Sequence, residues 1–566
     1  MEKLTMHCKK CLHEIEDDSL FCRNCGARQG RSRAAAAAGA VLAALVCAVT
    51  VAGAFLLKEH VWKSPEYRKR NPVLNSPADI DSELIRKISE NDLDSLTINY
   101  EFTRCPKDGS DVKEAMKFAQ DRNPFRAASE KSPLRQIRFE VKLGNDVHSL
   151  ACAFMGFKDL EYVNLKDTSG ISDMEGVFAG AENFNQPLDW DTSRAETMAF
   201  MFGGAARFNS AVAGWDTSRV KDMSEMFRGA KSFDQPVGTW NTGNVANMSG
   251  MFAGAESFNQ PVGSWNTSAV ESMAGMFAGA QKFNQPVAEW DTSRVTRMDF
   301  MFAGAKNFNQ PLDRWDTGRA VSMSGMFSES SFNQPIGSWN TSRVENMTQM
   351  FYNNREFSQS LAGWDTSKVK SMKLMFSLAK KFNGDIGKWN TANVENMSSM
   401  FEFTDSFNQP IGSWNTGKVR SMFNMFHHAK AFNQPIGSWD TSAAEDMTQM
   451  FDSADSFDQP IGSWNTSKVK NMNAMFRDAK KFNQPLNDWD ISSVYGMEDM
   501  FAGTEAFNQP LDRWAFRNSV NISSMFRNTL SFDQPLDNWK IPENADASGF
   551  LSGAKGFRHP VPDWAK

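Results

Sequence analysis

The chain has 566 residues and a formal net charge of −6 at pH 7, so it lacks the strongly basic balance expected of a nucleic-acid-binding protein. Its 32 Met, 45 Phe and 17 Trp against 5 Tyr indicate that a few positions are copied many times. None of its seven cysteines lies in the copied segment, which excludes a disulfide-built scaffold there.

Residues 1–33 contain two CxxC pairs, formed by Cys8 with Cys11 and by Cys22 with Cys25. Four thiolates suit a tetrahedral Zn²⁺, and a site filled by four cysteines is closed and therefore structural. Metal binding would supply the folding free energy of so short a segment. A redox motif or disulfides are the alternatives, but a redox motif needs no second pair. The segment resembles the short zinc ribbons at the N-termini of many bacterial membrane proteins.

Residues 34–57 form an apolar run without a charge, long enough to cross a bilayer as one helix. Arginines crowd its N-terminal flank at Arg28, Arg31 and Arg33. The positive-inside rule then places the ribbon in the cytoplasm and the rest of the chain outside, extracellular or periplasmic. A cleaved signal peptide or a lipoprotein modified at Cys47 are the alternatives. A ribbon ahead of the run argues against the first, and Val46 before the cysteine argues against the second.

Residues 58–80 are mostly polar and predict an exposed linker. Residues 81–165 predict a small α/β unit that caps the first repeat, with helices over 81–93 and 110–121 and strands over 95–102 and 134–143. An exposed end of a repeat array leaves strand edges bare, so a cap is expected. Cys105 and Cys152 lie in this unit. An oxidising exterior would allow them to pair, but the sequence does not fix their geometry.

Residues 166–566 hold about sixteen copies of a 25-residue unit, each ending in a Trp. The unit reads Trp-[Asp/Asn]-Thr-[Ser/Gly]-x-Val-x-x-Met-x-x-Met-Phe-x-x-Ala-x-x-Phe-[Asn/Asp]-Gln-Pro-[Ile/Leu/Val]-x-x-Trp. Successive tryptophans are 25 residues apart except Trp315 and Trp339, between which one residue is missing near Ser328. A single core that grows turn by turn is expected of such an array, because one turn cannot bury its own apolar side.

The spacing of Val, Met, Met-Phe and Ala predicts a short helix in each turn. The preceding Asp/Asn-Thr-Ser would cap its start, and glycines such as Gly279 would help it stop. Pro then opens a short parallel strand at Ile-x-x-Trp. The Asn-Gln before this Pro is a candidate for side-chain ladders along the stack. The predicted fold is therefore a repeat solenoid with one short strand and one short helix per turn.

The Trp-[Asp/Asn]-Thr-Ser-x-Val-x-x-Met-x-x-Met-Phe unit resembles the repeat of BspA-type leucine-rich-repeat surface proteins of bacteria. Residues 157–165 resemble a more ordinary leucine-rich turn. The resemblance covers residues 157–566, and it implies an exposed solenoid with a role in adhesion or surface recognition. The family is usually exported by a signal peptide or a lipid. A zinc ribbon with an uncleaved span departs from that pattern.

The residue directly before the Val of the repeat unit is often basic. We name these residues the basic stripe: Arg194, Arg219, Arg294, Arg319, Arg343, Lys368, Lys418 and Lys468. In a regular stack they line up, either as a solvated face or as a contact for an acidic glycan or a protein. The repeated Asp, Asn and Thr are interpreted as turn and cap residues. His427 and His428 replace small residues and are interpreted as surface substitutions rather than a metal site.

These features predict a membrane-anchored surface or envelope protein whose solenoid binds a protein or a glycan. The ribbon would hold structural Zn²⁺, and neither nucleic acid nor a small-molecule substrate is expected. An enzyme is not expected, because a catalytic set would have to interrupt the repeat. One alternative is a structural stalk without a ligand. Another is a sensor that signals to the ribbon.

Overall fold

The computed structural model describes residues 6–7, 14–15, 65–101, 123–129, 133–516 and 519–565. The four ribbon cysteines, the apolar run 34–57 and the predicted helix 110–121 lie outside these ranges. Two short strands, β1 (Met6–His7) and β2 (Glu14–Ile15), pair antiparallel near the N-terminus. Within the described ranges, no helix is both long and apolar enough to cross a membrane.

A four-stranded parallel sheet precedes the array. Its strands, in spatial order, are β3 (Val73–Leu74), β4 (Ser95–Ile98), β5 (Gln136–Leu143) and β6 (Tyr162–Leu165). The helices are α1 (Pro65–Arg70), α2 (Ser82–Glu90) and α3 (Pro124–Ser129), with 3₁₀ turns at Pro77–Asp79 and Asp563–Ala565. Strands β4 and β5 lie inside the segments predicted as strands, and α2 lies inside the predicted helix 81–93.

Local sequence explains why these elements form where they do. The side chain of Asp81 caps α2 by accepting a hydrogen bond from the Leu84 N–H at 2.7 Å. Leu84 and Ile88, one helical turn apart, are the buried residues of α2. Along β5, Ile137, Phe139 and Val141 are buried while their neighbours are less so, as expected of a strand with one face on the core.

Contacts between residues divide the chain into two compact units, Met1–Asn244 and Val245–Lys566. The first unit holds the parallel sheet and the first turns of the array. The second unit holds the remaining turns. In both units, one residue per turn forms a parallel bridge with its counterpart in the adjacent turn, for example Ser272 with Arg297. The repeat solenoid predicted from the sequence is therefore present.

The predicted helix in each turn is wrong. In the segment that begins at Met273, every second backbone N–H donates to a backbone carbonyl of the next turn. Met273 donates to Arg297 at 3.1 Å and Phe277 donates to Met301 at 2.9 Å. The intervening N–H groups donate to a carbonyl three residues back. Gly275 and Gly279 have φ of +64° and +70°, which no α-helix allows. Each segment is a series of tight turns, and the glycines make these turns instead of ending a helix.

The predicted strand at Ile-x-x-Trp is also wrong, because side chains replace backbone pairing there. Beside β6, where the next strand would begin, the Gln186 carboxamide accepts a hydrogen bond from the Val163 N–H at 2.8 Å and donates to its carbonyl at 3.0 Å. The indole of Trp190 donates to the Leu165 carbonyl at 3.0 Å. Pro187 has no N–H to offer a neighbouring strand, so the backbone ladder stops here.

The core consists of stacked columns of identical side chains. Within a turn, the rings of Phe277 and Phe283 lie 3.9 Å apart between centroids. Between turns, Phe277 stacks on Phe302 at 5.7 Å and Trp290 stacks on Trp315 at 6.4 Å. These side chains are almost completely buried. An isolated turn would leave the outer faces of this Phe pair and the faces of the Trp ring in water, so complete burial requires neighbouring turns.

Polar side chains also form ladders along the stack, as predicted for Asn-Gln before Pro. Gln434 donates to the carbonyl and to the side-chain oxygen of Asn408 in the preceding turn, both at 3.1 Å. The Thr column is buried, and Thr366 donates its hydroxyl to the Asn390 carbonyl of the next turn at 2.9 Å. Asp365 accepts a hydrogen bond from the Ser367 N–H at 2.9 Å. The repeated Asp, Asn and Thr therefore serve turns and ladders, without capping helices.

Candidate functional site

The basic stripe lies on the surface, directly before a buried Val or Ala in each turn. In the second unit Arg294, Arg319, Arg343 and Lys368 come from four successive turns, and all four are exposed. Turns in parallel register are about 4.8 Å apart. Four cations therefore follow one another over about 15 Å.

Most members of the stripe form no ion pair with the rest of the described chain. Lys418 donates to the Asn393 side-chain oxygen at 2.6 Å. The other seven members form no ion pair and no side-chain hydrogen bond within the part of the chain that the structure describes. Cations left unpaired in this way keep their attraction for an external anion.

A second charged column flanks the stripe on the other side of the buried Val. We name it the alternating column: Val321, Glu345, Lys370, Glu395, Arg420, Glu445, Lys470 and Tyr495. Lys370 pairs with Glu345 at 2.6 Å. This hydrogen bond first, and then the charge of Lys370, lowers the pKa of Glu345, with a further contribution from Lys368 of the basic stripe. The stripe therefore has acidic groups beside it, which the spacing of the basic residues alone does not reveal.

A polar cavity of about 430 Å³ lies in the first unit, where the parallel sheet gives way to the array. Asn145, Asp167, Asp191 and Arg194 are among its lining residues. Hydrogen bonds from serines two residues further on hold the pKa values of Asp167 and Asp191 below their usual values. The cavity therefore presents carboxylates beside one cation of the basic stripe.

A row of one serine and four ionisable side chains crosses five successive turns of the second unit. We name it the buried charged row: Ser377, Glu402, His427, Asp452 and Arg477. His427 lies between two carboxylates, with Nδ1 3.2 Å from Glu402 Oε1 and Nε2 3.5 Å from Asp452 Oδ2. Arg477 pairs with Asp452, and Ser377 donates to Glu402 at 3.2 Å.

The row is held inside the array. The exposed fractions of the side chains are 1% for Asp452, 13% for His427 and 17% for Glu402. Burial alone would raise the pKa of Glu402, but the hydrogen bond and charge of His427, with two serine hydroxyls, bring it below the usual value. His428 stacks on Phe403 at 4.5 Å. The interpretation of His427 as a surface substitution is therefore wrong.

A family model described as "Mycoplasma protein of unknown function, DUF285" matches the array. Its matches overlap and together span residues 148–564: 148–262, 211–293, 234–331, 255–364, 286–384, 350–463 and 453–564. The chain belongs to this family. No curated protein and no solved structure matches the chain. The DUF285 match supports the predicted repeat protein and does not reach the ribbon or the apolar run.

The remaining predicted residues of this DUF285 protein fall in two groups. Cys8, Cys11, Cys22 and Cys25, as well as Cys105, lie outside the described residues. Cys152 is disulfide-bonded.

The buried charged row could have been found in the sequence. Half of the turns carry a small residue at this position, for example Ala253, Ala278 and Ala303, whereas Glu402, His427, Asp452 and Arg477 place ionisable side chains there in four successive turns. Comparing equivalent positions between turns gives this signal, while searching for motifs along the chain does not.

Proposed function

We propose that this DUF285 protein is a membrane-anchored envelope protein whose repeat array recognises a protein or a glycan outside the membrane. Cys8, Cys11, Cys22 and Cys25 would hold a structural Zn²⁺ on the cytoplasmic side of a span at residues 34–57. The array would act by binding, and we propose no catalytic activity. An acidic glycan is the partner class that the exposed charges favour.

The observation that carries this proposal is the run of cations Arg294, Arg319, Arg343 and Lys368. They are exposed, regularly spaced and form no ion pair among the described residues. Because the chain as a whole is acidic, this run is a local feature. A regular row of cations suits a partner whose negative charges also repeat. Binding through such exposed groups should weaken as salt rises.

The disulfide at Cys152 supports an exported array. Disulfides persist in oxidising compartments and are rare in the cytosol. Cys152 belongs to the first unit and is buried, with 8% of the residue exposed. The free thiolates that the ribbon needs for zinc would be on the opposite, reducing side of the membrane.

Binding is tested with the full chain against immobilised acidic polysaccharides, neutral polysaccharides and envelope proteins. The test variant replaces Arg319, Arg343 and Lys368 by Ala. The matched control replaces Lys373, Lys380 and Lys381 by Ala, which removes the same charge from other exposed positions. At up to about 1 kcal/mol per exposed contact, the stripe variant should bind about 10- to 100-fold more weakly.

The control decides what a loss of binding means. Equal loss in both variants would show that net charge, and not the basic stripe, drives binding. A full chain that captures nothing at low salt would favour the stalk without a ligand.

Anchoring is tested on intact cells that express the full chain with a tag at each end. External protease should remove the array and spare the N-terminal tag. A protected array with a digested N-terminal tag would reverse the proposed orientation. Zinc is measured separately on the purified chain, and Cys8→Ser with Cys22→Ser should abolish it.

A further inference from the structure

The alternating column is complementary to its own reverse. Read forward, its side chains are Val, Glu, Lys, Glu, Arg, Glu, Lys and Tyr, from residue 321 to residue 495. Read backward, every acidic position meets a basic one, and the apolar residue at one end meets the apolar residue at the other. All eight residues lie in the second unit, in eight successive turns.

We propose that the alternating column is the contact surface of a symmetric antiparallel dimer of this chain. The two-fold axis passes between the turns of Glu395 and Arg420, so that each of these residues faces the other type in the second copy. An isologous contact of this kind closes on itself and produces a dimer, without open-ended association.

Other arrangements of two copies do not match the charges. A parallel pair in register places Glu345 on Glu345 and Lys370 on Lys370, and like charges repel. An antiparallel pair centred on a turn, for example on that of Glu395, again places acidic turns on acidic turns. A parallel pair shifted by one turn matches the charges, but in it Val321 of one copy does not contact Tyr495 of the other.

The apolar residues at the two ends of the alternating column also favour the antiparallel arrangement. Val321 is 43% exposed and Tyr495 is 55% exposed, whereas most large apolar residues in the described ranges are buried. They are seven turns apart, or about 34 Å at strand spacing. In the antiparallel dimer each covers the other at both ends of the contact. Their burial adds an apolar contribution that surface ion pairs lack.

The charged groups remain available to a second copy. Lys370 and Lys470 already pair with the glutamates of the preceding turns at 2.6 and 2.5 Å, but the side chains of Lys370 and Glu445 are 64% and 42% exposed. Glu395 and Arg420, nearest the two-fold axis, form no ion pair within the described part of the chain. Pairs between copies would extend these contacts into networks. Association should therefore be modest and sensitive to salt.

The first test is charge reversal, measured by sedimentation of the full chain, in detergent where the predicted span requires it. An acidic variant carries Lys370→Glu, Arg420→Glu and Lys470→Glu. A basic variant carries Glu345→Lys, Glu395→Lys and Glu445→Lys. Each variant alone should dimerise at least 10-fold more weakly than the wild type, and a 1:1 mixture should restore the dimer. A matched control reverses the pair Lys381 and Glu356, which joins adjacent turns elsewhere at 2.6 Å, and should leave the dimer unchanged.

The second test fixes the direction of the two copies by disulfide cross-linking. Val321→Cys in one copy should cross-link to Tyr495→Cys in another when the two variants are mixed, over the background of the wild type. Val321→Cys alone should not cross-link to itself, because the two positions would lie about 34 Å apart. Cross-linking of Val321→Cys alone would show a parallel pair. A wild type that stays monomeric at low salt, or folded variants whose mixture stays monomeric, would overturn the proposal.

Discussion

Two aspartates of one turn provide a direct test of the buried charged row, because they have opposite surroundings. The Asp452 side chain is 1% exposed and pairs with Arg477 of the next turn. It also accepts hydrogen bonds from Gln449 at 3.0 Å and from Ser453 at 2.9 Å. The Asp455 side chain is 33% exposed and pairs with Lys480 at 3.1 Å. Each aspartate pairs with a cation 25 residues later in the sequence.

The surroundings set the expected magnitudes. Asp452→Ala leaves the guanidinium of Arg477, whose side chain is 34% exposed, without its carboxylate and removes the acceptor for two further donors. Breaking a buried pair in this way costs about 3–5 kcal/mol. Asp455→Ala breaks an exposed pair, for which about 0–1 kcal/mol is expected. A double variant, Asp452→Leu with Arg477→Met, removes both charges and should recover most of the lost stability.

The assay must be local, because repeat arrays do not always unfold in one step. Guanidinium denaturation followed by Trp emission gives the overall shift. Hydrogen exchange of peptides spanning residues 440–480 shows whether the loss is centred on Asp452. Similar shifts for Asp452→Ala and Asp455→Ala would refute the account of a buried row. So would a double variant as unstable as Asp452→Ala alone.

Three further perturbations test other parts of the turn. Gly279 and Glu329 occupy equivalent positions with φ of +70° and +55°. Gly279→Ala should therefore lower the melting temperature and Glu329→Gly should raise it, and each should change the free energy of unfolding by about 1 kcal/mol or less. Trp389→Phe removes an indole N–H that donates to the Leu361 carbonyl at 3.0 Å, which should cost about 1–3 kcal/mol in urea denaturation. Burial, and then the charge of the neighbouring histidine, lowers the pKa of His428 from 6.5. The stability that its neutral ring provides is present above that value and is lost as pH falls through the lower folded pKa. Melts from pH 7 to 5 should therefore show a larger loss for the wild type than for His428→Asn.

The columns of the array could be predicted from the sequence because identical residues recur at a fixed interval. A side chain such as Trp290 or Phe277 can be buried only against its own copies in adjacent turns, so the period alone indicates a stacked core. The ladder of Gln434 on Asn408 followed from the same argument. These predictions depend on which residues repeat and do not depend on the path of the backbone within a turn.

The backbone path could not be predicted, because two structures share the same spacing. Apolar residues three or four apart, such as Met273, Met276 and Phe277, suit an α-helix and also suit successive tight turns. The deciding feature is the left-handed conformation at Gly275 and Gly279. Turns such as that of Leu374 and Leu378 adopt it without glycine, so the pattern is hidden. Strain of about 1–2 kcal/mol at such a residue is tolerated because its neighbours on both sides hold the backbone.

The basic stripe and the alternating column are coupled by geometry. The two-fold axis of the proposed dimer lies in the contact plane and is perpendicular to the stacking direction. The basic stripes of the two copies therefore lie on the same side of the alternating columns and run along the same rim of the contact. There Arg343 of one copy faces Lys468 of the other, and this repulsion opposes dimerisation. A polyanion along the rim would relieve the repulsion, so binding and dimerisation should strengthen each other. Sedimentation at low salt with a polyuronate should then show a tighter dimer, and Lys468→Ala should reduce this gain. Dissociation of the dimer by the polyanion would show instead that the two surfaces compete.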